Sequence, residues 1–223
     1  LDVSYVSNIS QFGDPDVVII PGSKNTISDL LWMRQNGLEG KILRHAAKGG
    51  IVFGICGGYQ MLGQSISDPT GAEQKGTVRG MGLLPVTTVF EQEKRRTRVS
   101  GRFAKVGGAL AEMSGVCYEG YEIHMGRTVL SKGTVPLVYM EEEGEQRQDG
   151  AQSDHVYGCY MHGIFDMSET VKTFLAAVLR KKGIDPSKIT VRDRNAYKEE
   201  QYDRLASIVR ENPVSYTHLT LPT

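Results

Sequence analysis

Cysteine is scarce in this chain. Only Cys56, Cys117 and Cys159 occur in 223 residues, an odd number with no Cys-x-x-Cys spacing. Such a set builds neither a disulfide framework nor a zinc site, and it points to a reducing, cytoplasmic setting. An excess of one charge is also missing, because 26 basic side chains balance 26 acidic ones. That leaves no electrostatic argument for a nucleic acid or an anionic membrane surface as partner. No apolar run approaches the length of a membrane span, and the N-terminus carries no signal-peptide pattern. Internal repeats and an obvious domain linker are absent as well.

What is present reads as one α/β domain with room for a sizeable core. Residues 1–6 alternate like a strand, with no initiator Met before them, so the chain is expected to begin inside a larger polypeptide. Asp16-Val17-Val18-Ile19-Ile20-Pro21-Gly22 is a β-branched run that ends in a turn, the pattern of a central parallel strand. Thr26 and Asp29 have capping-box spacing for a following helix. Leu38, Ile42, Leu43, Ala46 and Ala47 keep helical period until Gly49-Gly50. A second apolar strand, residues 51–55, comes next. Strand, helix, strand, helix in this order predicts an open, mostly parallel sheet with helices on both faces. The middle third predicts an antiparallel extension, with strands over 83–90, 97–103, 121–129 and 135–140. Residues 141–149 read as a solvated hairpin tip. A strand over 154–160 leads to His162, an amphipathic helix with Ser168 as N-cap follows, and a last helix covers about 197–210. Residues 1–211 are assigned to the domain. The tail, 212–223, lacks charge and period and resembles a translated adapter sequence, so His218 is given no role.

The chemistry centres on Gly54-Ile55-Cys56-Gly57-Gly58-Tyr59. A strand stops at a cysteine, glycines flank it, and a helix starts. This is how a nucleophile elbow is built, with the helix N-terminus favouring the thiolate. A buried structural cysteine is the plainer alternative. As base, His162 is the best placed of five histidines, at a strand end beside Gly163. His45 reads as a solvated helix-face residue, and His155 has no special context. Backbone N–H groups of Gly22, Ser23 and Gly57 are candidates for an oxyanion hole. Tyr121 and Ile123 share one strand face, Glu122 and His124 the other. That second face is either an ordinary polar one or a border of the substrate pocket.

Four ordered motifs carry a resemblance. They are Pro21-Gly22-Ser23-Lys24-Asn25-Thr26, then Gly54 to Gly63, then Gly120-Tyr121-Glu122-Ile123-His124-Met125-Gly126, then His162-Gly163-Ile164-Phe165-Asp166. Together, and over about residues 3–180, they resemble the flavodoxin-like class I glutamine amidotransferase domain of the cobyric acid synthase family. The resemblance implies that Cys56 attacks the side-chain amide of glutamine while His162 shuttles protons. It further implies a linked synthetase domain, which uses ATP and magnesium to amidate peripheral carboxylates of the corrinoid adenosylcobyrinic acid a,c-diamide. No cofactor or metal is implied for this domain itself, and the chain has no Gly-x-x-x-x-Gly-Lys-Ser/Thr loop. One departure stands out. Many class I amidotransferases carry His-Pro-Glu, and here Gly163-Ile164 follow His162. Asp166 or Glu122 substitutes for the orienting acid, or the site works as a dyad. Alternatives to this family are cobyrinic acid a,c-diamide synthase, the glutaminase that amidates lipid II, and a non-catalytic docking module. The Pro-Gly-Ser-Lys-Asn-Thr turn argues against the first two, and Cys56 with His162 against the third.

Overall fold

The computed structural model describes residues 1–142 and 144–212. They form two compact units, Leu1–Ile189 and a shorter one from Thr190 onward. The larger unit runs β1 (Val17–Ile20), α1 (Thr26–Gln35), α2 (Leu38–Ala47), β2 (Ile51–Ile55), α3 (Gly57–Leu62), β3 (Ser65–Asp68), β4 (Gly76–Arg79) and β5 (Val86–Phe103). It continues with β6 (Cys117–Leu130), β7 (Val138–Glu142), β8 (Glu145–Asp149), β9 (Ala151–Ser153), β10 (Val156–Cys159), β11 (Met161–His162) and α4 (Ser168–Lys181). The shorter unit holds α5 (Arg194–Glu211), whose N-terminus is capped by the Asp193 side chain on the Ala196 N–H.

A first sheet has the order β1-β2-β10-β9. Its first three strands are parallel, and β9 turns back antiparallel to β10. Strand β2 is buried on both faces, which is why it reads as an unbroken apolar run. Its alternate side chains enter two separate cores. Ile51 and Phe53 pack with Tyr157, Phe174 and Ala177 beside α4. Val52 packs with Ile27, Leu30 and Ile42 of α1 and α2. Helices therefore cover both faces, as the alternating pattern predicts. Burying Phe53 alone is worth roughly 2–3 kcal/mol.

The second sheet runs β11-β6-β5-β3-β4, with β7 added on β5 and β8 on β7. Except for the parallel β3–β5 pair its ladders are antiparallel. The two strands predicted over 83–90 and 97–103 are one long β5, carried through a register shift between Val89 and Lys94.

Several local expectations are corrected. Residues 1–6 form no strand; Leu1 is 96% and Tyr5 95% exposed, because alternation without a hydrogen-bonding neighbour makes no ladder. The Thr26–Asp29 capping box does not form: Asn25 is the N-cap, and Asp29 takes the Ser23 hydroxyl instead. Ser168 is the first helical residue, with Met167 at the N-cap. The hairpin read at 141–149 is present as β7–β8 and is exposed at Glu141, Glu145, Gln146 and Gln148, but its last residue, Asp149, is buried. The expectation for 212–223 lies outside the described residues beyond Asn212.

Candidate functional site

Strand β2 ends at Ile55, and Cys56 follows with φ 52° and ψ −111°. Positive φ is costly for a residue with a Cβ, so the surroundings must impose it. They do so by close packing. The Cys56 N–H bonds to the Cys159 carbonyl at 2.9 Å, and the Cys56 carbonyl accepts from Gln60 N–H at 3.0 Å, closing the first turn of α3. A Cβ on Gly58 would stand 2.1 Å from the Ile20 carbonyl oxygen, so only glycine lets the elbow sit on the end of β1. A Cβ on Gly57 would be 2.8 Å from the Ser23 nitrogen, which places the elbow against the turn after β1.

His162 reaches the same spot by another route. The chain leaves the first sheet after Cys159 and joins the second as β11, where His162 pairs with Tyr121 and Met161 with Glu122. The imidazole stacks on the Tyr121 ring, with centroids 5.1 Å apart and planes at 5°. Gly22 marks the convergence. A Cβ there would lie 2.9 Å from Cε1 of His162, 3.7 Å from its Nε2 and 3.6 Å from Cβ of Cys56. Cys56, His162, Gly22, Ser23 and Tyr121 line one cleft of about 470 Å³, together with Lys24, Thr26, Gln60, Glu73, Phe90, Ile123, His124 and Met125. A second hollow, about 240 Å³, is lined by Asp16, Gly49 and Gly50 at the other ends of β1 and β2.

The electrostatics differ from the sequence expectation on one point. Burial pushes the Cys56 thiol up to about 11, although the Gly57 N–H pulls the other way. Burial thus opposes the thiolate that the start of α3 favours. Burial also lowers the His162 imidazole; a hydrogen bond to the Ile123 carbonyl opposes this, and neighbouring His124 adds to it. Both groups are therefore neutral near pH 7. Cys56 Sγ lies 3.5 Å from the Ile123 carbonyl oxygen.

Glu122 and His124 are not on a solvated face. Glu122 is fully buried, accepts from Arg147 Nη2, and faces His124 Nε2 at 3.3 Å. Burial by itself would raise this carboxyl, but hydrogen bonds from His124 and Arg147 outweigh it and hold it at about 2. His124 Nδ1 meets the Gly126 carbonyl at 3.0 Å, and the ring stacks on Tyr160 with centroids 3.7 Å apart. Asp166 lies in the turn after β11: its N–H bonds the Gly163 carbonyl, and its Oδ2 would be 2.9 Å from a Cβ on Gly163. His45 is not a solvated residue either; its Nε2 lies 3.1 Å from the Ile51 carbonyl oxygen, in a notch that needs Gly50 to lack a Cβ.

Sequence reasoning missed several lining groups. Glu73 reaches 47 residues back in sequence to take the Thr26 N–H at 2.6 Å and so caps α1, whose own N-cap Asn25 makes no side-chain bond. The loop carrying Glu73 is fixed by Asp68, which accepts four backbone N–H groups from Gly71, Ala72, Glu73 and Gln74. Asp68-Pro69-Thr70-Gly71 is a turn signal that locates the loop, but nothing local shows where it lands. Gln60, buried on α3, donates to the Tyr160 hydroxyl at 3.1 Å and to the Met125 carbonyl at 3.2 Å. Arg147 sat in the segment read as a solvated tip.

Comparison with known proteins agrees with this geometry. Residues 1–170 match the family described as the CobB/CobQ-like glutamine amidotransferase domain. A cobyric acid synthase of Ruminiclostridium cellulolyticum is 51% identical over 213 residues, which cover 94% of this chain and 41% of that protein. One from Lachnoclostridium phytofermentans is 42% identical, over 95% of this chain and 43% of its own length. The chain thus spans less than half the length of these relatives. Among solved structures, PurLQS from Thermotoga maritima aligns with TM-score 0.58 at 18% identity, over 80% of this chain and 85% of that one. A glutamine amidotransferase aligns with TM-score 0.54 at 14% identity, over 82% and 88%. At these identities the structural matches speak for the shared open α/β fold.

Proposed function

Because the chain belongs to the family of CobB/CobQ-like glutamine amidotransferase domains, we propose that it is the glutaminase portion of a cobyric acid synthase, with Cys56 and His162 as its catalytic pair. The observation that carries this reading is the convergence on Gly22 of a cysteine at positive φ and a neutral imidazole. In the hydrolysis, His162 accepts the Cys56 proton as the sulfur attacks the side-chain amide carbon of glutamine. A thiol held at about 11 does not ionise first, so proton transfer accompanies attack. Backbone N–H groups of Gly22, Ser23 and Gly57 receive the oxyanion, where one such donor is worth roughly 10²–10³ in rate. The imidazolium returns its proton to the departing nitrogen, and ammonia leaves. Water, deprotonated by His162, then cleaves the glutamyl thioester to glutamate and the free thiol. Glu73 and Lys24 give the cleft one charge of each sign, which suits the zwitterionic end of glutamine.

The ammonia serves a linked synthetase portion, for which the relatives' greater length leaves room. There, ATP and magnesium activate the carboxylates of adenosylcobyrinic acid a,c-diamide, in the cytoplasm. Among the described residues no helix is long and apolar enough to cross a membrane. Among the amidotransferases considered, the high identity to cobyric acid synthases favours this one.

The test is glutamine hydrolysis by the full-length polypeptide containing this chain, wild type against Cys56→Ser. Loss of glutamine-dependent activity with ammonia-dependent amidation intact is the expected result. Loss of both would make Cys56 structural, and loss of neither would overturn the assignment.

A further inference from the structure

Strand β1 has the sequence of an inner strand and the place of an outer one. Val17-Val18-Ile19-Ile20 is β-branched throughout, the composition of a parallel strand with neighbours on both sides. In the structure it ends the sheet: among the described residues its one ladder is the parallel pairing with β2. Ile19 is 47% exposed, although its register partner Phe53 is fully buried. Free sheet edges are normally blunted by a charge, a proline, a bulge or a covering segment. Pro15, Asp16 and Pro21 flank this strand, but residues 17–20 contain no such device and pair with β2 without a register shift. The edge also leads straight into the turn at Gly22 and Ser23, where a Cβ on Gly22 would lie 3.6 Å from Cβ of Cys56.

We propose that the free edge of β1 is a docking surface, and that its occupant is a β-strand from the part of the longer polypeptide outside residues 1–223, which pairs with β1 and covers Ile19. This rests on the reading above of the chain as one portion of a longer amidotransferase. The relatives supply the length, since the matched stretches cover only 41% and 43% of the two cobyric acid synthases. Residues 1–6 are the nearest candidate within this chain. They have a strand's alternation, and residues 7–16 are long enough to bring them back. Yet they lie in no ladder, and Leu1 and Tyr5 are almost wholly exposed. A second copy would gain only a four-residue ladder here, whereas a covalently linked strand docks at high effective concentration. The incoming strand is apolar on both faces. Val17 packs on the core beside α4, and Val18 and Ile20 pack on the core beside α1 and α2. A strand hydrogen-bonded to β1 restrains the Gly22–Ser23 turn that follows it directly.

The experiment measures amide hydrogen exchange at residues 17–20 in the full-length polypeptide and in the 223-residue chain, beside glutamine hydrolysis by the full-length form. Alternate N–H groups of a strand face opposite neighbours, so in this chain alone every second amide of β1 should exchange freely. In the full-length form all of them should be slowed, by roughly 100-fold, as inside a sheet. Ile19→Lys is the second probe. At an exposed position it should move the melting midpoint of the 223-residue chain by no more than about 2 °C. In the full-length form, where the strand covers it, the fall should be on the order of 5 °C. Free exchange at alternate amides of the full-length form, with Ile19→Lys harmless there, overturns the proposal. Full protection in a monomeric 223-residue chain gives the edge to residues 1–6, and protection that grows with its concentration gives it to a second copy. Either result overturns the proposal too. Full-length polypeptide that protects residues 17–20 but hydrolyses no glutamine defeats the catalytic reading and leaves the docking in place; the reverse pattern defeats the docking alone.

Discussion

The two sheets build their halves of the cleft by different means. The parallel sheet presents Cys56 through a local backbone device: a positive φ, glycines where Cβ atoms would collide with Ile20 and Ser23, and a helix that starts at once. The signals for it, the flanking glycines and the helix start, lie within a few residues of the cysteine, while Ile20, Ser23 and the Cys159 carbonyl wall it in. The antiparallel sheet presents His162, Tyr121 and the Ile123 carbonyl through register, by pairing β11 with a strand some 40 residues earlier, and it fixes that register with buried charge. A nucleophile can thus be read from its neighbours in sequence, whereas its partner is placed by neighbours in space.

The sharpest way to break this contrast is Gly22→Ala, at a point where both halves meet. Gly22 is not among the residues of positive φ, so alanine adds no backbone strain; what it adds is a Cβ 2.9 Å from the His162 ring. Displacing the imidazole by a fraction of an ångström to about 1 Å should cost on the order of 10²-fold in kcat. The thermal midpoint should stay close to wild type, since the strand end is exposed. Kinetics paired with a melting curve decides: a large drop in midpoint would mean the turn is needed for folding and that convergence on Gly22 is incidental.

The same contrast explains how much was legible. Strands β1 and β2, helices α1, α2 and α4, and the elbow follow from apolar runs and helical period, and the structure has them within a residue or two of their expected ends. Within the hairpin at 141–149, two polar residues were opaque because their polarity is satisfied inside the protein: Arg147 reaches buried Glu122, and Asp149 accepts the Tyr160 N–H at 2.9 Å. Hydropathy does not distinguish a paired buried charge from a solvated one. Residues 1–6 erred in the other direction, having a strand's alternation with nothing to pair against. Glu73 depends on a contact spanning 47 positions.

Buried charge in the antiparallel half has a consequence for stability against pH, a smaller effect than the first. Glu122 is held at about 2 by His124 and Arg147, below its ordinary 4.5. Its contribution is complete above pH 4.5 and is lost as pH falls toward 2. Asp149 is raised to about 6 by burial, from 3.8. Its contribution has the opposite sign: it is complete below pH 3.8 and is lost as pH rises through 6. Each is worth about 3 kcal/mol by linkage. Urea midpoints taken from pH 3 to 8 should therefore rise and then decline, with Asp149→Asn flattening the decline and leaving the acid side in place. A decline that survives Asp149→Asn would assign it to another group.

The smallest expected effect separates the two buried cysteines. Cys159 lies on β10 in the same parallel sheet as the elbow and is as thoroughly buried as the strand around it, which pushes its thiol well above the ordinary value. Its carbonyl holds the Cys56 N–H, but that is backbone and survives a change of side chain. Its sulfur is packing: it belongs to the core formed with Phe53, Tyr157 and Met161. Cys159→Ala should cost roughly 1–2 kcal/mol for the lost contacts and leave kcat and KM for glutamine unchanged. If that variant instead lost activity while keeping its midpoint, the elbow would depend on a side chain outside it, and the parallel half would be no more local in its construction than the antiparallel one.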